Sequence, residues 1–289
     1  TKQFSSCVLI KSDDDLDSIF ASGEMMAKYA SKRAGIGLEI GRLRPLGSPI
    51  RGGEIKHTGM IPFLKKWFGD LRQFDDLIVL KNNQGTEETR VRHMDYGVVL
   101  NAFFWRRFKN KENITFFDPN EVPDLYEAFY KDSDLFEELY VKYEKQRNLR
   151  KKVLTAEEVF KGGLLKERTD TGRIYMVFID NVMNQGPFDP EFHTIYQSNL
   201  CCEILLPTKP FKRLDDSNGR IALCTLGSIN WGAFRNPEDM RRACRTLQRS
   251  LCNILDYQDF LSIQSKLSND EISPLGIGVT NLAYWHAKR

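Results

Sequence analysis

Gln197-Ser198-Asn199-Leu200-Cys201-Cys202-Glu203 is the stretch on which the reading of this chain turns. An amide, a thiol and a carboxylate stand at alternate positions, so on an extended backbone Asn199, Cys201 and Glu203 share one side. Taken with two distant cysteines, Cys7 and Cys224, the arrangement suggests radical and thiol redox chemistry on a hydroxylated substrate. A plain buried strand over residues 199–206 is the rival. Leu200, Ile204, Leu205 and Leu206 flank the thiols, and free cysteine packs as a small hydrophobe. That rival leaves Glu203 unexplained, because an acid inside an apolar run is costly to bury without a partner. Geometry adds a condition. At about 3.3 Å per residue, Asn199 and Glu203 lie roughly 13 Å apart on a straight strand, too far to touch one sugar ring. A working site here requires a tight loop.

The 289 residues suffice for one large α/β domain or two ordinary ones, and 41% hydrophobic with 28% charged residues is a soluble globular composition. A net charge of +3 is too small to argue for nucleic acid, and the basic stretches Arg147–Lys152 and Arg241–Arg249 read as solvated helix faces. No apolar run approaches the ~20 residues that span a bilayer, so no membrane association is expected. The opening Thr-Lys-Gln-Phe-Ser-Ser-Cys-Val-Leu-Ile reads as a strand and not as an export signal, which places the chain in the cytoplasm, or host cytoplasm if it is viral. Six cysteines then mean reduced thiols. Zinc is not expected, since no Cys-x-x-Cys pair occurs and His57, His93, His193 and His286 are scattered. Cys202, Cys244 and Cys252 read as packing residues.

Along the chain, residues 5–10 form an expected strand and 14–33 a helix, whose Asp13-Asp14-Asp15 suits the positive end of a helix dipole. Further strands are expected at 36–43, 174–179, 199–206 and 221–225. Helices are expected at about 59–71, 96–109, 121–146, 155–168 and 237–257. The alternation predicts an α/β fold with a mostly parallel sheet or barrel. Both ends read as cut, in a strand at one end and a running helix at the other. After the second expected strand lies a second chemical signal, the glycine-rich basic loop Arg42-Leu43-Arg44-Pro45-Leu46-Gly47-Ser48-Pro49-Ile50-Arg51-Gly52-Gly53. Arginine forks match phosphate oxygens, and glycines let backbone N–H groups approach an anion. A surface turn whose arginines pair with nearby acids explains the same residues.

Beyond these features the chain resembles the large catalytic subunit of class I ribonucleotide reductase. The segments that carry the resemblance begin with Phe4-Ser5-Ser6-Cys7-Val8, Lys32-Arg33-Ala34-Gly35-Ile36-Gly37 and Leu46–Gly53. Arg92-His93-Met94-Asp95-Tyr96-Gly97, Thr171-Gly172-Arg173-Ile174-Tyr175 and Gln197–Glu203 come next. Ala222-Leu223-Cys224-Thr225-Leu226, Leu255-Asp256-Tyr257-Gln258 and Leu275-Gly276-Ile277-Gly278-Val279 complete the series in family order. The resemblance implies a single catalytic barrel segment over residues 1–289, part of a ten-stranded α/β barrel. It implies that Cys201 becomes a thiyl radical that removes hydrogen from C3′ of a ribonucleotide. Glu203 is then the base towards the 3′-hydroxyl, Asn199 holds the ribose hydroxyls, and Cys7 with Cys224 supplies reducing equivalents. On the family's pattern Asn-x-Cys-x-Glu sits on a loop inside the barrel, which meets the spacing condition above.

Ser6 and Gly35 match positions that line the substrate site. Asp14, Asp15 and Leu16, with Arg44 and Arg51, match the allosteric site for ATP or a deoxynucleoside triphosphate. The partners implied are a metal-containing small subunit that supplies the radical, thioredoxin or glutaredoxin as external reductant, and a second copy in a homodimer. The chain itself binds no metal on this pattern. The family's ATP cone, later phosphate loop, tyrosine relay and carboxy-terminal cysteine pair would all lie outside residues 1–289. Between His57-Thr58-Gly59 and Leu80-Lys81-Asn82-Asn83 the family is longer, with a glycine-rich loop and a barrel strand where only Ile61–Val79 stands here. Glu39 enters a stretch where the family usually has small or amide residues. Three readings follow: a reductase segment completed by more chain or a separate carboxy-terminal polypeptide, a nucleotide-binding remnant without catalysis, or an unrelated α/β protein with a cysteine-rich core.

Overall fold

Val8, Leu9 and Ile10 are wholly enclosed, so the strand they form is covered on both faces like the middle of a sheet. It organises the computed structural model, which describes residues 2–60, 62–64, 66–67, 95–172 and 174–288. The first elements are β1 (Cys7–Lys11), α1 (Leu16–Ala30), β2 (Gly35–Glu39), β3 (Pro49–Ile50) and β4 (Ile55–Lys56). After β5 (Tyr96–Leu100) come α2 (Ala102–Lys109), β6 (Asn113–Phe117), α3 (Pro123–Lys131), α4 (Ser133–Lys145) and β7 (Lys151–Thr155). The remainder is α5 (Lys166–Thr171), β8 (Ile174–Phe178), α6 (Ile179–Gln185), β9 (Ala222–Asn230), α7 (Pro237–Tyr257), α8 (Ile263–Ile272), β10 (Leu275–Thr280) and α9 (Leu282–Ala287).

The main sheet has the order β10-β9-β1-β2. Its outer pairs are parallel, β1 with β2 and β9 with β10, while the central pair β1–β9 is antiparallel with Cys7 opposite Cys224. Strands β5 and β8 pair in parallel apart from it, β6 and β7 pair antiparallel, and β3–β4 is a short ladder. The content is therefore mixed α/β. Among the described residues the strands fall into four separate sheets that form no closed barrel, and the main sheet mixes parallel and antiparallel pairs where a mostly parallel one was expected. One hydrophobic core joins Val8 and Ile10 to Ile19, Met25, Tyr29, Trp67, Phe211 and Leu223, and α1 packs across the face of β1 and β2. A second, around Phe103, Leu125, Phe136 and Tyr140, holds the α2–α4 helices together.

Several expected elements shift for local reasons. Residues 199–206 are turn and coil and not a strand. The span 96–109 opens as a strand, because the β-branched pair Val98-Val99 extends the chain until Asn101 restarts it as a helix by accepting the Phe104 N–H at 3.0 Å. The expected helix 121–146 is two, divided at Asp132, whose carboxylate caps the second by accepting from Asp134 and Leu135. Thr155 ends β7, which together with β6 was not foreseen. It then forms a reciprocal cap with Glu158 over a π-helical turn, Glu158–Leu165, that leads into α5. Helix α1 begins at Leu16, two residues after the expected start, and its cap is Asp15. Strand β2 ends at Glu39, and β9 runs on to Asn230. Helix α7 spans the expected 237–257. Most of the Ile61–Val79 stretch, the end of the expected 59–71 helix, Arg92, His93, Met94 and Arg173 lie outside the described residues.

The unusual Glu39 has a structural account. It sits opposite Lys11 in the β1–β2 register, and the two side chains, 5% and 6% exposed, form an ion pair at 3.3 Å. Tyr126 donates to Glu39 at 3.0 Å and the Gly41 N–H donates at 2.6 Å. The Lys11 ammonium donates to the Tyr126 hydroxyl and lies 3.2 Å above the Tyr196 ring. Burial holds the lysine below its ordinary range against the pull of Glu39, and burial with Glu39 alongside drives the Tyr126 phenol far upward. Removing one charge strands the other. Glu39→Ala is expected to cost about 3–5 kcal/mol in denaturant unfolding, whereas Lys11→Met combined with Glu39→Leu costs clearly less.

Candidate active site

A six-residue turn replaces the expected strand. The Asn199 N–H donates to Ile204 O at 3.2 Å, Ser198 Oγ donates to the same carbonyl at 2.8 Å, and the Cys202 N–H donates to Asn199 O at 3.0 Å. Cys202 takes a left-handed conformation, φ 63°, at the bend. Asn199, itself buried, ties the turn from inside: its Oδ1 accepts from the Glu203 and Ile204 N–H groups at 3.0 and 2.9 Å. Its Nδ2 donates to Glu203 Oε1 at 2.6 Å and to Cys7 Sγ at 3.3 Å. The two residues that a straight strand would hold far apart are thus in direct contact.

Cys7 comes from β1 and Cys224 from β9, opposite one another across the antiparallel pair and both buried. The Cys7 thiol donates to Glu203 Oε1 at 3.8 Å, a long sulfur contact. Cys201 is exposed at the tip of the turn. What burial it has, then the Glu203 carboxylate and Cys7, push its thiol upward. For Cys224, burial first and then Cys7 and Glu203 raise the thiol to about 12. Of the three thiols, Cys7 contacts the carboxylate directly, while burial first and then its charge push the Cys201 and Cys224 thiols upward.

Gly35 and Gly37 make this approach possible. They alternate on β2 and so face the turn together. A Cβ on Gly37 would lie 2.6 Å from Ser198 O, and one on Gly35 would lie 3.0 Å from Leu200 Cδ2. Gly35 had been expected at the substrate site. Gly37 and Gln197, whose amide donates to Gly37 O at 3.4 Å, had not been singled out, although the Gly-x-Gly spacing on a strand was a readable signal. Ser6 is exposed beside Cys7, and its carbonyl accepts the Gly35 N–H at 2.8 Å.

The residues expected at the effector site form a separate group. Asp14 and Arg44 are brought together: the arginine donates to the carboxylate through its backbone N–H at 2.9 Å, Nε at 2.7 Å and Nη2 at 2.6 Å. Asp15 caps α1 and pairs with Lys212 at 3.2 Å, Leu16 is 62% exposed, and Arg51 is exposed on a left-handed turn beside Gly52 and Gly53. The acid-paired arrangement of the surface-turn reading is therefore present, at least for Arg44. Among the described residues, no helix is long and apolar enough to cross a membrane, and no group of three or more His, Cys, Asp or Glu residues could hold a metal ion.

The family described as ribonucleotide reductase, barrel domain, matches residues 5–68 and 67–289, and the chain belongs to that family. Among curated proteins it is 48% identical to the ribonucleoside-diphosphate reductase subunit alpha of Haemophilus influenzae, over all of this chain and 41% of that protein. It is 46% identical to the ribonucleoside-diphosphate reductase 1 subunit alpha of Escherichia coli, over all of this chain and 40% of that protein. The subunit alpha of Enterobacteria phage T4 is 41% identical over 99% of this chain and 41% of its own length. The chain thus spans about two fifths of these relatives. The Haemophilus alignment runs over 309 residues against 289 here, so about 20 positions have no counterpart, and the family match breaks at residues 67–68.

Two measurements follow from the site. In the unfolded chain a cysteine ionises near its ordinary value, whereas folded Cys224 holds its proton up to about 12. The unfolded state therefore binds fewer protons between those values, and stability falls as pH rises from about 9 towards 12. Replacing Cys224 with Ala should flatten that decline in unfolding curves taken across the window. Gly37→Ala should force β2 and the turn apart and cost about 1–3 kcal/mol, with faster alkylation of Cys7 as the local readout.

Proposed function

We propose that this chain is the catalytic barrel segment of a ribonucleoside-diphosphate reductase large subunit, which reduces ribonucleotides to deoxyribonucleotides for DNA synthesis. The observation that carries the reading is the turn that holds Asn199 and Glu203 against the Cys7 thiol, with Cys224 opposite Cys7 across the β1–β9 pair and Cys201 on the same turn. Cys201 as a thiyl radical takes the 3′-hydrogen, and Glu203 draws the proton of the 3′-hydroxyl. The 2′-hydroxyl leaves as water while Cys7 and Cys224 give up their hydrogens and join as a disulfide. Asn199 orients the carboxylate and the ribose hydroxyls, and Ser6 and Gly35 line the entry.

On this reading a metal-containing small subunit supplies the radical, and thioredoxin or glutaredoxin returns the reducing equivalents. ATP or a deoxynucleoside triphosphate regulates through Asp14, Asp15, Leu16, Arg44 and Arg51. Residues 1–289 act as one segment of a ten-stranded barrel that further chain closes, in the same polypeptide or a separate one, and the enzyme works as a cytoplasmic homodimer. The test is conversion of a nucleoside diphosphate by the complete protein with its radical-generating subunit. Cys201→Ser should abolish turnover, and Glu203→Gln should lower kcat by about 10²–10⁴-fold. Undiminished turnover in Cys201→Ser would refute the radical assignment.

The shorter stretch after Gly59 favours a second reading, a nucleotide-binding remnant without catalysis. Calorimetry separates the two: thymidine triphosphate binding without any nucleoside diphosphate binding is the signature of the remnant.

A further inference from the structure

The loop that carries Arg44 and Arg51 is gripped from outside by a residue that neither the motif nor the family resemblance singled out. Arg150, immediately before β7, donates from Nη1 to Ser48 Oγ at 3.0 Å and from Nη2 to Leu46 O at 2.8 Å. The same guanidinium lies 3.6 Å from Asp118 Oδ2, which also accepts the Ser48 hydroxyl. Asp118 follows β6 and is fixed by its own turn, its Oδ1 accepting the Asn120 N–H at 3.0 Å. The Arg150 N–H donates to Glu121 Oε2 at 2.8 Å. Ser48 and Asp118 are buried, whereas the Arg150 side chain is 41% exposed. Gly47, at φ 82°, leaves room for the grip, since a Cβ there would stand 3.1 Å from Arg150 Nη2. Elsewhere the loop is held by the two-pair β3–β4 ladder and by Gly47 and His57 bonds to its far arm.

We propose that Arg150 is a positioning residue of the effector site. It fixes residues 46–48, which link Arg44 to Arg51, and so sets the separation of the two guanidinium groups that a nucleoside triphosphate meets. In this arrangement each of its Nη groups makes one bond to the loop, and Asp118 lies beside its charge. Its effect is preorganisation: without the bridge, binding has to order the loop as well as hold the anion. The inference rests on the reading of residues 42–53 as the effector loop.

The test is calorimetric titration of the complete protein with thymidine triphosphate and, separately, with a nucleoside diphosphate. Wild type is compared with Arg150→Ala, Arg150→Lys and Arg44→Ala. The expected result is that Arg150→Ala weakens triphosphate binding at least tenfold and leaves diphosphate binding within twofold. Arg150→Lys recovers part of the loss, since one ammonium can meet one of the two acceptors. If Arg150→Ala binds the triphosphate like wild type while Arg44→Ala does not, the inference fails and the loop reading survives. If wild type binds no triphosphate, the loop reading fails and takes the inference with it. Equal weakening of both ligands in both Arg150 variants would show general structural support and also overturn it.

Discussion

The antiparallel pairing of β1 with β9 is the constraint on which the site depends. Residues opposed across such a pair have Cα atoms about 4.5–5.5 Å apart. That range falls inside the roughly 4.4–6.8 Å over which a disulfide can close. The register that sets Cys7 against Cys224 is therefore enough to place two thiols within bonding reach, although they are 217 positions apart in the chain. A slip of one residue would turn Cys224 to the other face of the sheet. The enclosed Val8, Leu9 and Ile10 oppose such a slip, since every apolar side chain would move with it. The parallel partners β2 and β10 then bring glycines up to both thiol strands, Gly35 beside Cys7 and Gly276 against the Cys224 sulfur.

Electrostatics at the site disfavour the thiolate form of Cys201 and Cys224. Thiolate sites surround sulfur with cations or a helix amino terminus, which depress its ionisation. Here Cys201 and Cys224 meet burial and a carboxylate, and both are pushed the other way. A protonated thiol has an S–H bond to exchange, which is what the proposed cycle asks of these sulfurs. The Glu203 carboxylate is oriented by a neutral amide, Asn199.

The turn that carries the candidate site was more legible in the sequence than the secondary structure around it. Asn199, Cys201 and Glu203 announced themselves because polar groups interrupt an apolar run, and the distance between the first and last already required a turn. The apolar neighbours misled in the other direction: Leu200 and Ile204–Leu206 look the same whether a strand or an enclosed loop buries them. Strands β6 and β7 were invisible because Ile114-Thr115-Phe116-Phe117 is short and Lys151-Lys152 opens its partner with charge. Asn101 and Asp132 divide continuous apolar patterns into separate elements, and each cap could have been read as a boundary. Arg44 stayed ambiguous for a physical reason. A guanidinium paired with Asp14 serves a surface turn and a phosphate loop equally well, and only its neighbours distinguish the two.

The buried bond between Lys11 and Glu39 has a consequence for how this chain can exchange parts with its relatives. Each strand of the pair contributes one charge to a shared enclosed space roofed by Tyr126 and Tyr196. Transplanting either strand alone from a protein with a neutral side chain at that point would leave a lone ion under the aromatic roof. The two strands and the tyrosines above them therefore have to be exchanged together to keep the charges balanced. Recombination boundaries that fall between residues 11 and 39 should be poorly tolerated, whereas cuts that keep the block intact leave this charge balance undisturbed.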